Sequence, residues 1–174
     1  MLKRKDVEIM APAGNFESLT AAIQGGANSV YFGVGQLNMR AKSSINFSVD
    51  DLQEVANICK EHGIKSYLTV NTVLYDEDID AMHQIINSAA QAGISAIIAS
   101  DQAAMDYARE KGVEVHLSTQ LNISNTQSLK FYAKWADVVV LARELNLEQV
   151  KRIYKNIQEQ NICGPSGNQI KIEM

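Results

Sequence analysis

Short apolar runs alternate along the chain with longer segments in which apolar side chains recur at helical spacing. The first run ends at Pro12 and Gly14, and Asn15 then begins a helix whose apolar residues fall on one face. Gly25 and Gly26 end that helix, and the next apolar run follows at once. The apolar runs predict seven strands: Val7 to Met10, Ser29 to Phe32, Lys65 to Val70, Ile94 to Ala99, Val113 to Ser118, Val138 to Leu141 and Ile170 to Glu173.

The segments between the predicted strands carry helical patterns that begin at a polar residue. Such residues suit a helix start because they accept hydrogen bonds from free backbone N–H groups or complement the helix dipole. The predicted starts are Asn15, Asp50 or Asp51, a position near Glu77, Asp101, Asn125 and Asn146. A regular succession of strands and helices predicts an all-parallel sheet, either an open doubly wound sheet or a (β/α)8 barrel.

The side-chain pattern within the strands favours the barrel. No GxGxxG or GxxxxGK[ST] motif follows the first strand, so the nucleotide-binding open sheets lose support. In an open sheet covered on both faces, both side-chain parities should be apolar, whereas here one parity is repeatedly polar. Its members are Glu8, Tyr31, Lys65, Tyr67, Thr69, Asn71, Glu114, His116, Ser118 and Gln120. We expect this parity to face the barrel lumen; the alternative is that its groups bond one another in a packed interior.

The predicted elements do not complete a barrel. Seven strands and six helices leave it unclosed, and the sequence ends at KIEM inside a strand. An open edge of this kind exposes unpaired backbone groups. We therefore expect residues 1–174 to form a single α/β, TIM-barrel-like domain with an incomplete barrel, either a fragment of a longer protein or a module. A missing C-terminal segment or an oligomer contact would complete it.

Composition and charge narrow the function classes. Apolar residues make up 46% of the 174 residues, enough for a substantial core, and the net charge of -4 gives no support to nucleic-acid binding by this segment alone. No apolar window approaches the length of a membrane span, so we expect a cytoplasmic location and no membrane partner. Cys59 and Cys163 lack metal-ligand spacing and are predicted free thiols, so no metal site is predicted.

Candidate binding residues lie on the predicted loops at the carboxyl ends of the strands, where barrel enzymes place their chemistry. The long segment GVGQLNMRAKSSINFS leaves one such end and carries Arg40, and Arg143 follows a later strand. Two guanidinium groups could bind the carboxylate or phosphate of a small anion. The supporting amides would be Asn38, Asn71 and Gln120. The alternative is an arginine paired with Glu144 or Glu17 as a structural clamp.

The candidate catalytic residues are His116 and Glu144. Neither HExxH nor GxSxG occurs, and the GPSG of residues 164–167 precedes a strand, the wrong context for a nucleophile elbow. His116 shares a strand face with Ser118, but such neighbours are not by themselves a nucleophile and base. A satisfied interior histidine is the alternative. Glu144 would orient the anionic ligand.

Several blocks of the sequence, in one order, resemble a known family. They are EIMAPAGNFESLTAAIQGGANSVYFG, the NMRA of residues 38–41 with the INF of residues 45–47, LSTQLNISN at 117–125 and LARELNLEQV at 141–150. These blocks are similar to the N-terminal region of the collagenase-like peptidase U32 family, and the resemblance spans nearly the whole chain. It implies a TIM-barrel-like domain. The family carries a historical protease label, and some members act in oxygen-independent hydroxylation of tRNA, rRNA or ubiquinone precursors.

The resemblance also implies cofactors for the parent protein. Some members use prephenate as the hydroxyl donor and an iron–sulfur cluster held by cysteines. The family's E-x-F-x-x-G signature, followed by clustered cysteines, would begin at Glu173, and neither Cys59 nor Cys163 matches those cysteines. The leading hypothesis is a parent that hydroxylates RNA or a small aromatic, with no cofactor in this segment. The alternatives are a collagenase-like peptidase and a non-catalytic scaffold or RNA-docking module.

Overall fold

The strands form one parallel sheet in sequence order, β1 to β7. The computed structural model describes residues 7–39 and 46–174. Each strand in this part of the chain pairs in parallel with the next one, which leaves β1 and β7 as the two edges. The fold is an α/β open half-barrel, as predicted. The strands are β1 Met10–Pro12, β2 Ser29–Gly33, β3 Lys65–Val70, β4 Ala96–Ala99, β5 Glu114–Leu117, β6 Val138–Val140 and β7 Lys171–Glu173.

The helices connect consecutive strands and begin close to the predicted polar residues. They are α1 Phe16–Gln24, α2 Leu52–Glu61, α3 Ile79–Ala92, α4 Gln102–Glu110, α5 Thr126–Tyr132 and α6 Leu147–Glu159. Asn15 caps α1, since its side chain accepts a hydrogen bond from the backbone N–H of Ser18 at 2.8 Å. Asp101, Asn125 and Asn146 accept equivalent bonds at the starts of α4, α5 and α6. Because helix starts follow strand ends, these caps surround one rim of the sheet.

The two side-chain parities of the strands have different surroundings. Leu68, Ile97 and Leu117 are fully buried in the large core between the sheet and the helices. The opposite parity faces the concave side of the sheet, where Tyr67 and Ile98 belong to a separate small cluster. The predicted polar parity therefore faces the interior of the half-barrel.

The first strand differs from its prediction. The pattern predicted Val7 to Met10, whereas the observed strand is Met10–Pro12. The prediction used Pro12 as a strand stop, but β1 pairs only with β2 and is an edge strand, where proline is tolerated. The backbone N–H of Ala13 continues the pairing by donating to Tyr31 at 2.9 Å.

No helix within residues 7–39 and 46–174 has both the length and the apolar character needed to cross a bilayer.

Candidate functional site

A hollow of about 910 Å³ lies at the carboxyl ends of the strands. This is the end at which (β/α) barrel enzymes hold their substrates. Its walls are largely apolar, with Met10, Ile98, Val140 and Leu145 among them. Its polar lining consists of Ser18, Tyr31, Asn46, Thr69, Asn71, Ser118, Thr119, Gln120, Arg143 and Glu173. The fold thus brings together three of the predicted binding residues, Asn71, Gln120 and Arg143.

Arg143 follows β6 and is exposed to the hollow. Among the described residues, no carboxylate lies within ion-pair distance of it and no hydrogen bond involves its side chain. The predicted alternative, a clamp with Glu144 or Glu17, is therefore not formed in this part of the chain. Glu144 is exposed beside Arg143 and is not part of the hollow's lining.

Asn71 and Gln120 meet at Ser118. The side-chain amide of Asn71 donates to the Ser118 hydroxyl at 3.4 Å, and the backbone N–H of Gln120 donates to the same oxygen at 3.3 Å. The carbonyl of the Asn71 side chain accepts from the backbone N–H of Met39 at 3.2 Å. These bonds fix the loops after β3 and β5 against each other. The Gln120 side chain itself is exposed.

Of the other two predicted binding residues, only Asn38 belongs to the described part of the chain. Asn38 is buried, and its amide donates to the backbone carbonyls of Gly35 at 3.2 Å and Val34 at 3.4 Å. These bonds shape the loop after β2, and Asn38 does not line the hollow. Arg40 lies outside the described residues.

His116 lies beneath the floor of the hollow. The residue is 3% exposed, its Nε2 lies 3.3 Å from a carboxylate oxygen of Glu114, and its ring centroid lies 4.5 Å from that of Tyr67. Nδ1 is buried and has no hydrogen-bond partner among the residues that the structure describes. With Nε2 as donor to Glu114, Nδ1 is left as an acceptor.

A second polar group near the amino ends of the strands is centred on Glu8. Lys65 donates to its carboxylate at 2.8 Å, and the Tyr67 hydroxyl donates to the other oxygen. Burial raises the pKa of Glu8, but these hydrogen bonds outweigh it and leave that pKa below its ordinary value. The hydrogen bond with His116 likewise lowers the pKa of Glu114, against a smaller opposing effect of burial. Both arrangements left open by the sequence therefore occur: the lower polar groups bond one another, and the upper ones line the hollow.

Acidification is expected to destabilise the domain through Glu8 and Glu114. A carboxylate with a lowered folded-state pKa contributes stability that is present above its unfolded pKa and is lost as the pH falls through the folded value. The free energy of unfolding, measured in urea at stepwise pH, should therefore fall below about pH 4.5. Glu8→Gln should make that fall shallower, whereas Glu61→Gln at the exposed end of α2 should not. The expectation would be contradicted if the free energy of unfolding fell equally steeply with pH in the wild type, Glu8→Gln and Glu114→Gln.

Glu173 is a lining residue that the sequence analysis did not select. It lies opposite Val140 in the register of β6 and β7, and this places its side chain on the concave face. Burial raises the pKa of Glu173; the nearby His116 lowers it, and the charge of Glu8 raises it further. Glu173 ends the predicted strand Ile170 to Glu173, but it was not among the polar residues predicted to face the lumen.

The described residues do not fit an iron–sulfur cluster. No group of three or more His, Cys, Asp or Glu side chains in this part of the chain has metal-binding geometry. Cys59 is buried within α2, where burial raises the pKa of its thiol to about 11, and Cys163 lies in the loop before β7. The two cysteines therefore lie on different elements, and neither lines the hollow.

Comparison with known proteins identifies the family. The sequence pattern of Peptidase family U32 matches residues 14–163. The chain belongs to peptidase family U32. This confirms the resemblance drawn from the sequence blocks around the predicted rim loops.

Curated relatives of this U32 chain carry two kinds of name. A protein named collagenase from Porphyromonas gingivalis is 63% identical over 97% of this chain and 41% of its own length. A protein named tRNA hydroxylation protein P1 from Bacillus subtilis is 31% identical over 88% of this chain and 37% of its own length. The U32 chain therefore spans about two fifths of the length of these relatives.

Solved structures support the fold. A U32 peptidase superposes with a TM-score of 0.70 at 11% identity, over 86% of this chain and 64% of that one. The tryptophan synthase alpha chain from Legionella pneumophila superposes with a TM-score of 0.60 at 14% identity, over 97% of this chain and 71% of that one. These likenesses concern the barrel architecture alone, since function depends on the site placed on the fold.

Proposed function

We propose that this U32 chain forms the substrate-binding domain of a collagenase-type peptidase. The observation that carries the proposal is its 63% identity to a protein named collagenase over 97% of the chain. Domains this similar in sequence share their overall fold. The activity would belong to the whole protein, of which this domain supplies the hollow.

The shape and lining of the hollow suit a peptide. A volume of about 910 Å³ accommodates a segment of several residues. The apolar walls at Met10, Ile98 and Val140 would contact apolar side chains. Arg143, free of protein partners among the described residues, would bind an acidic side chain or a terminal carboxylate. The amides of Asn71 and Gln120 would hydrogen-bond the peptide backbone.

Among residues 7–39 and 46–174, the geometry gives no support to a serine or cysteine nucleophile. Ser118 accepts hydrogen bonds from Asn71 and Gln120, and no hydrogen bond joins it to His116, which bonds to Glu114 instead. Cys59 and Cys163 lie away from the hollow. A peptidase built on this hollow would therefore use an activated water.

The second candidate function is hydroxylation of RNA, favoured by the relative named tRNA hydroxylation protein P1. In that function Arg143 would bind an anionic co-substrate such as prephenate, with Arg40 as a second predicted cation. An iron–sulfur cluster would need cysteines other than Cys59 and Cys163. RNA would then be a partner of the whole protein, since the net charge of -4 does not favour RNA binding by this domain alone.

Replacing Arg143 with alanine in the full-length protein should raise KM for an acidic collagen-derived peptide by about 10- to 100-fold, because a charge-assisted hydrogen bond contributes about 1.5–3 kcal/mol. Arg143→Lys should retain part of that affinity, and Arg152→Ala on the exposed side of α6 should match the wild type. Cleavage of fluorogenic peptides, followed by mass spectrometry, gives the measurement.

The same protein tested on RNA separates the two candidates. The peptidase proposal would be overturned in favour of hydroxylation by two results together. A deletion strain would lack hydroxylated nucleosides, and the purified protein would cleave no peptide. If Arg143→Ala cleaved the peptide with an unchanged KM, the peptidase function would stand, but the role of Arg143 in substrate binding would be wrong.

A further inference from the structure

Three neighbouring strand ends meet at Leu141. Its backbone N–H donates to the carbonyl of Glu173 at 3.2 Å, and its own carbonyl accepts from the Thr119 hydroxyl at 3.5 Å. The ends of β5, β6 and β7 are thereby held side by side. Gln120, Arg143 and Glu173 extend from these three ends, and all three line the same hollow.

The carboxyl group of Glu173 differs from the other carboxyl groups of the concave face. Glu8 is held by Lys65 and Tyr67, and Glu114 by His116. Glu173 is half-buried, and no ion pair or side-chain hydrogen bond engages its carboxyl within the described part of the chain. Burial without a partner raises the pKa of Glu173, whereas the partners of Glu8 and Glu114 leave the pKa of each below its ordinary value.

A carboxyl group of this kind is suited to move protons in a hydrolytic site. Its pKa lies closer to neutrality than that of an exposed glutamate, so its carboxylate is a stronger base. Gln120 adds an exposed amide without a side-chain hydrogen bond among the described residues. An amide N–H is a donor of the kind that stabilises a developing oxyanion.

We propose that Glu173 is the general base and acid of the hollow, where it activates a water molecule for hydrolysis of a bound peptide bond while Gln120 donates to the carbonyl oxygen. The inference rests on the proposed peptidase function and assigns the residues that would perform it. Arg143 keeps the role of binding the substrate's acidic group.

The proposed reaction balances with water as the only co-reactant. The Glu173 carboxylate accepts a proton from water as the water oxygen bonds to the carbonyl carbon, and the carbonyl electron pair moves to the oxygen that Gln120 contacts. The C–N bond then breaks as the electron pair returns from that oxygen, and the protonated Glu173 donates its proton to the leaving nitrogen. The products are a carboxylic acid and an amine, and Glu173 ends as a carboxylate.

The test uses the full-length protein and the fluorogenic collagen-derived peptide. Glu173→Gln keeps the size of the side chain and should lower kcat at least 100-fold with KM within about twofold, since general acid–base groups contribute about 10²- to 10⁴-fold. Glu173→Asp should retain partial kcat and the fall in activity at low pH, because the base must be deprotonated to act. Glu159→Gln, at the exposed end of α6, should match the wild type.

Stability provides a readout that is independent of activity. A glutamate with a raised folded-state pKa contributes stability that is present below its unfolded pKa and is lost as the pH rises through the folded value. Glu173→Gln should therefore unfold at a higher temperature than the wild type at pH 7, and that difference should shrink at pH 4. A folded, more stable and inactive variant is the expected combination.

The possible results distinguish the role of Glu173 from the peptidase function itself. Peptide cleavage by the wild type with kcat of Glu173→Gln within threefold would overturn the role of Glu173 and leave the peptidase function standing. No cleavage by the wild type, with the Arg143 and Glu173 variants folded, would overturn the peptidase function and the role of Glu173 with it.

Discussion

Replacing Ile97 with alanine should lower the free energy of unfolding by about 2–5 kcal/mol, the range measured for buried isoleucine-to-alanine changes. Ile97 lies at the centre of β4, is fully buried, and pairs in register with Leu68 of β3 and Val115 of β5. Its side chain packs in the core between the sheet and the helices. Truncation would remove three methyl or methylene groups and leave a cavity that rigid strands on both sides cannot close. Urea unfolding followed by circular dichroism measures the change.

Val73→Ala is the matched control for Ile97. Val73 is 71% exposed in the loop after β3, so its truncation removes little buried surface and should change the free energy of unfolding by less than about 0.5 kcal/mol. A loss below 1 kcal/mol for Ile97→Ala would show that the sheet is not packed as described.

Replacing Gly164 with alanine should cost about 3 kcal/mol of stability, at the upper end of the usual range for overpacking. A methyl group at this position would lie about 2.6 Å from the carbonyl oxygen of Ala136 and 2.8 Å from the Cα of Asp137. Both contacts are with backbone, so no side-chain rotation relieves them. The loop that carries Gly164 leads into β7 and is tied to Asp137 by the Ser166 hydroxyl at 2.6 Å. We therefore expect the substitution to displace β7, with Glu173 and one wall of the hollow.

Gly25→Ala provides the comparison for Gly164. Gly25 ends α1 at φ −70°, a conformation open to alanine, and a methyl group there would lie 3.2 Å from its nearest neighbour, the Ala21 carbonyl oxygen. Its unfolding midpoint in urea should stay close to that of the wild type. If the unfolding midpoint of Gly164→Ala matched that of Gly25→Ala, the loop would not approach the start of β6 as closely as described.

The regular elements follow from local features of the sequence. β3 spans the predicted Lys65–Val70 because its side chains alternate between the two faces, with the aromatic Tyr67 and the β-branched Thr69 on one of them. A glycine-ended helix and a polar loop bound this run. Asn15, Asp101, Asn125 and Asn146 mark helix starts because their side chains reach N–H groups only two or three residues ahead. The first strand was predicted at Val7 to Met10 and lies at Met10–Pro12, because the effect of Pro12 depends on whether a strand has one neighbour or two.

Strand parity and the positions of the strand ends allowed only part of the candidate site to be predicted. Asn71, Gln120 and Arg143 were expected at the rim, and they line the hollow. Their role in binding stays a prediction, as does that of Arg40. Glu144 was expected beside the ligand and lies outside the lining, whereas Glu173 lies within it. Residue type alone does not separate Glu144, on the loop after β6, from Glu173, at the end of β7, because the direction of each side chain depends on the path of the backbone.

The sequence by itself determined the succession of strands and helices, the parity that faces the concave side, and the membership of family U32. These depend on side-chain periodicity, capping and sequence similarity, all of which can be read along the chain. The tertiary structure decided which polar groups pair and which face the hollow. Glu8 pairs with Lys65 and Tyr67, and Glu114 pairs with His116. Arg143 and Glu173 line the hollow. The physical reason is that partner choice and burial depend on contacts between residues far apart in sequence, and only the register of the sheet sets those contacts.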